Sequence, residues 1–434
     1  MYKKFSVMIE KFGLRRLALF NSSGNILGRV VDIISLLLAL RIVGVDAFGV
    51  YSLAGIIGMA CENIFSLGID SACIQDRNRP EDYLDTAWWI QFFRSLFIVA
   101  VLIIFTPVLG RLFKAQALLI CLPILTLSFL FNGLSNIGIT VFYRELDIKK
   151  KFAYILWTKV IEAIARVLFC LAIGGYLGLL WSLVFAAFVR LVFSYILSSW
   201  RPRFKFDFLV ARRLAGFGKW VALSGVVCYF LGQIDSFYVS EFLGVMALGL
   251  YRLAFKISDL FSEILYYVVY DLFFPLFSAY ARFTPKVISA QYSKILKYSV
   301  TFSFILSGGL FFAVGPVLSD ALGGKWSHVV PLAKIFVFTL PAFMLSNLSF
   351  AVLRALGHAH KVVYLQLASF GILALLIYPF SALWGLNGVA VSSLLSVLIT
   401  MPLIYWVTVA AIHSTEDIQV QLANTLSLVN ADRR

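Results

Sequence analysis

The chain is 434 residues long, 61% hydrophobic and 14% charged, with 41 Phe and a formal net charge of +15. Soluble domains lie nearer half apolar and a quarter charged, so this composition excludes a water-soluble enzyme built on one conventional core. Nor does the positive charge indicate nucleic acid, because the chain lacks a basic, folded, water-facing surface to present it.

Met1 to Arg16 reads as a basic lead-in without a separate cleavable signal. Apolar runs long enough to cross a bilayer then predict spans at 20–43, 51–72, 87–105, 115–141, 155–173 and 177–198. A basic linker, 201–218, carries Arg201, Arg203, Lys205, Arg212 and Arg213. Beyond it come spans at 219–242, 250–281, 296–318, 331–353, 362–382 and 385–410, and a tail at 413–434. The expected fold is an all-α membrane protein of about twelve transmembrane helices in two six-helix parallel repeats around a central cavity. Its N-terminal lobe is 1–200 and its C-terminal lobe 219–412.

Charge orients this map. Of the 37 Lys and Arg, 25 fall at the termini and in alternate connections on one side, and three, Arg111, Lys114 and Lys325, on the other. Positive residues stay cytoplasmic, so both termini and the linker are expected in the cytoplasm and the protein in the bacterial inner membrane. All nine Trp lie near predicted span ends or in the loop at Trp326, as an interfacial belt requires. The linker reads foremost as an interfacial segment obeying the positive-inside rule, with binding of anionic phospholipid head groups at the cytoplasmic leaflet as the alternative.

The repeat is visible at an offset of 200 residues. Gly44 to Ala54 (GVDAFGVYSLA) matches Gly244 to Ala254 (GVMALGLYRLA) at seven of eleven positions. Fainter echoes pair Arg144 to Lys151 with Arg354 to Lys361, and Gly178-Leu179 with Gly385-Leu386.

Charged residues inside the spans are the candidate functional groups. Facing lipid at the bilayer centre, each would cost roughly 2.5 to 3.5 kcal/mol, so most are expected to face a cavity or another helix. Lys159, Glu162 and Arg166 share a helical face, and so do Arg252, Lys256, Asp259 and Glu263. Arg29, Lys159, Arg166, Arg190, Arg252 and Lys256 are the candidate cationic substrate site, because guanidinium forks hold phosphate oxygens. Asp32, Glu62, Asp235, Asp259 and Glu263 are candidate ion-coupling carboxylates. Each stripe also reads as a salt-bridge ladder present for packing alone. His358 and His360 read as a solvated loop. The five Cys form no CxxC pair and read as small hydrophobes, so no disulfide, metal or cofactor is expected.

There is no GxxxxGK[ST] phosphate loop, which argues against ATP hydrolysis in this chain. Predicted external loops scarcely exceed a dozen residues, too short for the active site of a sugar polymerase or ligase. Transport is the reading that remains, and no enzyme activity is expected.

Five segments carry a family resemblance: Gly44 to Ala54; Leu67 to Gln75 with Asp85-Thr-Ala-Trp-Trp89; Tyr143 to Lys150; Phe217 to Trp220 through Gln233-Ile-Asp235 to Ala254; and Phe274 to Ser278. Together they resemble bacterial polysaccharide-repeat-unit flippases, the Wzx-like branch of the multidrug/oligosaccharidyl-lipid/polysaccharide exporter superfamily, over roughly residues 18 to 410. The resemblance implies a two-lobed helical fold that flips undecaprenyl-diphosphate-linked oligosaccharide by alternating access. A polysaccharide polymerase and export machinery are the implied partners. It carries over no site residue beyond a cationic lumen. A drug or cation extruder of the same superfamily is one alternative, disfavoured by the many basic groups within the spans, and a membrane sugar polymerase or ligase is another.

Overall fold

The computed structural model describes residues 26–66, 83–145, 147–212, 229–269 and 288–431, with isolated positions between them. The basic lead-in, Cys228, Arg213, and all or most of the segments 67–75, 217–220 and 274–278 lie outside the described residues. Among the described residues every regular element is a helix. In chain order they are α1 (26–42), α2 (Val45–Ile64), α3 (Leu84–Leu112), α4 (Leu118–Leu134), the short α5 (Ile139–Arg144), α6 (Ile148–Ala172) and α7 (Gly175–Leu197). Next come α8 (Ile234–Tyr238), continued as a π turn over Val239–Leu243, and α9 (Val245–Val268). The last are α10 (Ile288–Leu322), α11 (Val329–Val337), α12 (Leu340–Ala355) and α13 (Ala359–Ala431).

Five of the described helices are long and apolar enough to cross a bilayer, and α11 with α12 forms a bent sixth. Helices α6 and α9 are 25 and 24 residues long but carry the charged stripes, which lowers their hydropathy rather than their reach. The order of helices is consistent with the twelve-span map, while several boundaries differ. The predicted span at 331–353 is broken, with a 40° bend between α11 and α12 where Pro341 opens the second piece. A break inside a membrane strands backbone carbonyls. Here Ser258 donates to Phe336 O at 2.9 Å and Ser307 to Val337 O at 2.9 Å, so neighbouring helices satisfy them. The predicted tail is helical as far as Ala431, because α13 runs through both of the last spans. Gly385, at φ 55, breaks that helix between them. Gly175, just before Gly178, also has φ 55. Both places need a left-handed residue to turn the chain between adjacent spans.

The chain packs as two compact units, one formed by 23–253 with 318–329, the other by 254–317 with 330–434. Their border falls inside α9. Within the first unit, α2 and α9 cross at the repeated motif. A Cβ on Gly49 would lie 2.0 Å from Val245 O, and one on Gly249 would lie 2.6 Å from Val45 O. These contacts are reciprocal, each glycine meeting the carbonyl of the other's motif, as a local two-fold axis requires. Trp326 closes the same end. Its indole donates to Leu40 O at 3.2 Å and meets Phe48 edge-on at 6.1 Å, and the side chain is fully buried.

In the second unit, Tyr292 on α10 shares a hydrogen bond of 2.7 Å with Ser349 on α12 and stacks on Tyr405 of α13. Lys334 on α11 lies over the Phe311 ring at 4.8 Å.

Candidate functional site

Five charged residues of the first unit come together from three helices. Helix α1, which also carries Arg29, contributes Asp32; α6 contributes Lys159, Glu162 and Arg166; and α7 contributes Arg190. Gly28 lets α1 and α6 close on each other, since a Cβ there would stand 3.3 Å from Lys159 Cγ.

At the buried end, Arg166 Nη2 contacts Asp32 Oδ1 at 2.7 Å. Its other terminal nitrogen donates to Asp32 O at 2.9 Å and Ser35 Oγ at 2.8 Å. Both residues of the pair are buried. Taking two ions out of water is costly, and only close geometry with extra hydrogen bonds offsets it; this pair has both. Tyr51, the tyrosine of the first repeated motif, lies within electrostatic reach of Arg166, Asp32 and Glu162.

At the other end, Glu162 is held from two sides, by Lys159 Nζ at 3.0 Å and Arg190 Nη1 at 3.3 Å. Exposure sorts these groups. The side chains of Lys159 and Arg190 are 34% and 30% exposed, whereas Glu162 is 12% exposed. The two cations therefore reach outward past a shielded carboxylate. The five paired side chains are three basic and two acidic, a net excess of one positive charge; Arg29 lies on the same helix as Asp32. The outward sides of Lys159 and Arg190 can meet an incoming anion while Glu162, shielded behind them, keeps both as its counter-charges.

The remaining candidates are placed elsewhere. Glu62 pairs with Arg94 at 3.8 Å. Asp235 is buried and bound by neutral donors: Tyr251 Oη gives 2.6 Å to Oδ2, and the Ser236 N–H gives 2.6 Å to Oδ1. Arg252 reaches Gln233 Oε1 at 3.1 Å and Ser236 Oγ at 3.5 Å. Lys256, Asp259 and Glu263 continue along α9 in the second unit, partly exposed. His358, in the loop before α13, has its pKa lowered by burial and by neighbouring Lys361 and His360, so it stays neutral at pH 7.

Sequence reasoning missed Ser35 and Tyr251. Ser35 sits at i+3 from Asp32, on the same face, a spacing that would have flagged it. Tyr51 and Tyr251 are one pair in the repeat, and each lies near the carboxylate of its half's first helix, Asp32 and Asp235 respectively.

Comparison with known proteins gives consistent results. A family model described as polysaccharide biosynthesis protein matches residues 37–331. The chain is 24% identical over 314 residues to teichuronic acid biosynthesis protein TuaB of Bacillus subtilis, covering 69% of this chain and 62% of that one. It is 21% identical over 304 residues to succinoglycan biosynthesis transport protein ExoT of Rhizobium meliloti, covering 69% and 60%. The match thus spans about three fifths of these relatives' length. Among solved structures, lipid II flippase MurJ in an inward closed conformation superposes with a TM-score of 0.72 at 14% identity, over 95% of this chain and 93% of that one. An inward-facing multidrug resistance MATE family transporter of the MOP superfamily gives 0.68 at 14% identity, over 92% and 99%. The fold is that of these multi-span membrane transporters.

Proposed function

Because the chain belongs to the polysaccharide biosynthesis protein family, we propose that it flips an oligosaccharide linked to undecaprenyl diphosphate across the bacterial inner membrane, for exopolysaccharide, capsule or O-antigen assembly. The observation that carries this reading is the α1–α6–α7 cluster, whose net positive charge and two exposed cations, Lys159 and Arg190, suit an anionic diphosphate. Lys159 and Arg190, the exposed pair, receive the head group; Arg166 and Asp32 hold the cluster's geometry from behind. Arg252 and Lys256 add positive charge along α9, and the polyprenyl tail stays in lipid because nothing favours its leaving hydrocarbon. TuaB is named for teichuronic acid biosynthesis, ExoT for succinoglycan biosynthesis transport and MurJ as a lipid II flippase, which supports a lipid-linked substrate.

In this reading both termini are cytoplasmic and the two six-span lobes, 1–200 and 219–412, are the bodies that rock. The α2–α9 crossing and Trp326 then form a periplasmic closure, which must part when the outer side opens. Asp235, buried and bound by neutral donors, is the carboxylate best placed to take up a cation during the cycle. Polymerase and export machinery act on the delivered repeat unit.

The test is to find which leaflet holds lipid-linked repeat units in cells carrying the double variant K159Q/R190Q. Accumulation in the cytoplasmic leaflet, with normal protein levels, is the expected result. Units reaching the periplasmic leaflet at the wild-type rate would remove these residues from the site. Periplasmic accumulation of unpolymerised units in a deletion strain would instead favour a polymerase.

A further inference from the structure

The linker between the halves is built as two faces with different partners. Its inner face is fastened to the start of α3. The Arg203 N–H donates to Asp85 Oδ1 at 3.1 Å, the Asp207 N–H donates to Thr86 Oγ1 at 3.1 Å, and the Trp89 indole donates to Arg203 O at 3.2 Å. Asn136 holds Trp200 O at 2.8 Å. Asp207 then accepts from the Leu209 and Val210 N–H groups, starting a helical turn. That turn tucks Val210 and Leu214 into a cluster with Tyr83, Leu84, Ala87 and Ile137. Arg201 folds back onto the end of α7, donating to Tyr195 O at 2.9 Å and Trp200 O at 2.8 Å. The segment is therefore anchored, with Asp85, Thr86 and Trp89 of the family-like motif doing the anchoring.

Among the described residues the outer face is largely exposed, with the Phe204 ring resting against Trp89 at 5.3 Å. Phe204 is 96% exposed, Phe208 and Leu209 are each 74% exposed, and Phe206 is 52% exposed. They lie beyond the end of α7, a membrane-spanning helix, so lipid-facing helical packing does not account for them. Arg203 and Lys205 alternate with the phenylalanines and are exposed too. The one acid of the segment, Asp207, is already committed to two backbone N–H groups. A fixed row of exposed aromatics interleaved with basic residues, set at the end of a span, matches the boundary between acyl chains and head groups, and its charge complements an anionic head group.

We propose that residues 203–209 form a docking surface for anionic phospholipid, with Phe204, Phe206, Phe208 and Leu209 entering the acyl boundary and Arg203 and Lys205 contacting the phosphates. This surface is separate from the charged cluster within the helices, and it stands whether or not the transported substrate is a lipid-linked sugar.

The experiment uses the full-length protein in phosphatidylcholine nanodiscs doped with spin-labelled phosphatidylglycerol or spin-labelled phosphatidylcholine. Electron paramagnetic resonance reads the immobilised fraction of each. The wild type is expected to prefer phosphatidylglycerol several-fold, and the preference should fall as salt is raised. R203Q/K205Q changes side chains whose backbones, not guanidinium or ammonium groups, make the anchoring bonds, so the fold is kept. It should remove most of the preference while leaving phosphatidylcholine binding unchanged. F204S/F206S should reduce immobilisation of both lipids. K150Q/K151Q, on the same expected face at the start of α6, is the comparison for general surface charge and should change the preference little. A wild type without preference overturns the proposal, and so does an R203Q/K205Q variant that retains it. Equal losses in R203Q/K205Q and K150Q/K151Q would likewise overturn it, assigning the effect to diffuse positive charge.

Discussion

In the proposed topology, replacing Gly49 by alanine should open the periplasmic side of the protein. In the closed arrangement the new Cβ would stand 2.0 Å from Val245 O and 2.9 Å from Val245 C. Contacts under 3.0 Å force something to shift, and the opposing atoms are backbone, which cannot rotate aside. The two helices must therefore separate by about 1 Å or more, at an overpacking cost of about 1–3 kcal/mol. Alanine also raises helix propensity by about 1 kcal/mol. That gain is present whether α2 and α9 touch or not, so it cancels between the two states. The clash does not cancel. At 1.4 kcal/mol per tenfold, the equilibrium should move toward the open form by roughly 5- to 150-fold. The assay places a single cysteine at Ser52, a buried position one turn along α2, in a cysteine-free background. It measures the rate of labelling by a membrane-impermeant thiol reagent added from the periplasmic side. Gly49→Ala should raise that rate at least several-fold. Gly249→Ala should act in the same direction, with its Cβ 2.6 Å from Val45 O. Gly55→Ala, on the same helix with nothing within 4 Å, should leave the rate unchanged. If Gly49→Ala labels no faster than Gly55→Ala, the crossing is not what closes this side.

Trp326→Ala should also speed labelling at position 52, since it deletes the bond to Leu40 O and the contact with Phe48; large-to-small changes at such buried sites cost about 3–5 kcal/mol. Unchanged labelling would show that the loop does not latch the closed form. Asp32→Ala leaves Arg166 charged and buried without its carboxylate and should destabilise the protein by roughly 3–5 kcal/mol, whereas the apolar double variant D32L/R166M should recover most of that loss. Thermal denaturation in detergent decides the point, and a double variant no more stable than the single one would refute it. Arg252→Glu should abolish export at normal protein levels and Arg252→Lys only weaken it, through loss of the forked geometry; export measured by surface polysaccharide checks both, and an active Glu variant would remove Arg252 from the substrate path. Flipping in proteoliposomes should respond to a potassium-valinomycin potential at equal pH without sodium, because two negative charges moving outward gain roughly 4 to 5 kcal/mol per 100 mV. Flipping that ignores the potential but needs a sodium or proton gradient would instead make Asp235 the driving site.

Much of the architecture was legible in the residues themselves. Hydrophobic length is a local, additive property, so runs such as 87–105 and 177–198 announce helices like α3 and α7 without knowledge of their neighbours. The repeat at Gly44 and Gly244 was equally plain, being a comparison of the sequence with itself. Charge spacing grouped Lys159, Glu162 and Arg166 on one face, because 3.6 residues per turn is a property of the helix alone. What neither length nor spacing contains is the partner across space. Arg166 takes its counter-ion from Asp32, 134 residues away, and Glu162 takes Arg190 from the next helix. The reciprocal seating of Gly49 and Gly249 depends on how α2 and α9 cross, and a missing side chain leaves no mark in a hydropathy profile. Likewise, Asp85, Thr86 and Trp89 read as a motif, but their task of anchoring a linker more than a hundred residues downstream appears only once both segments occupy the same end of the helices. Secondary structure and membrane class follow from short-range sterics and solvent transfer, which each segment carries with it. Ion pairing, close helix crossing and anchoring are decided by distances that the tertiary fold alone sets.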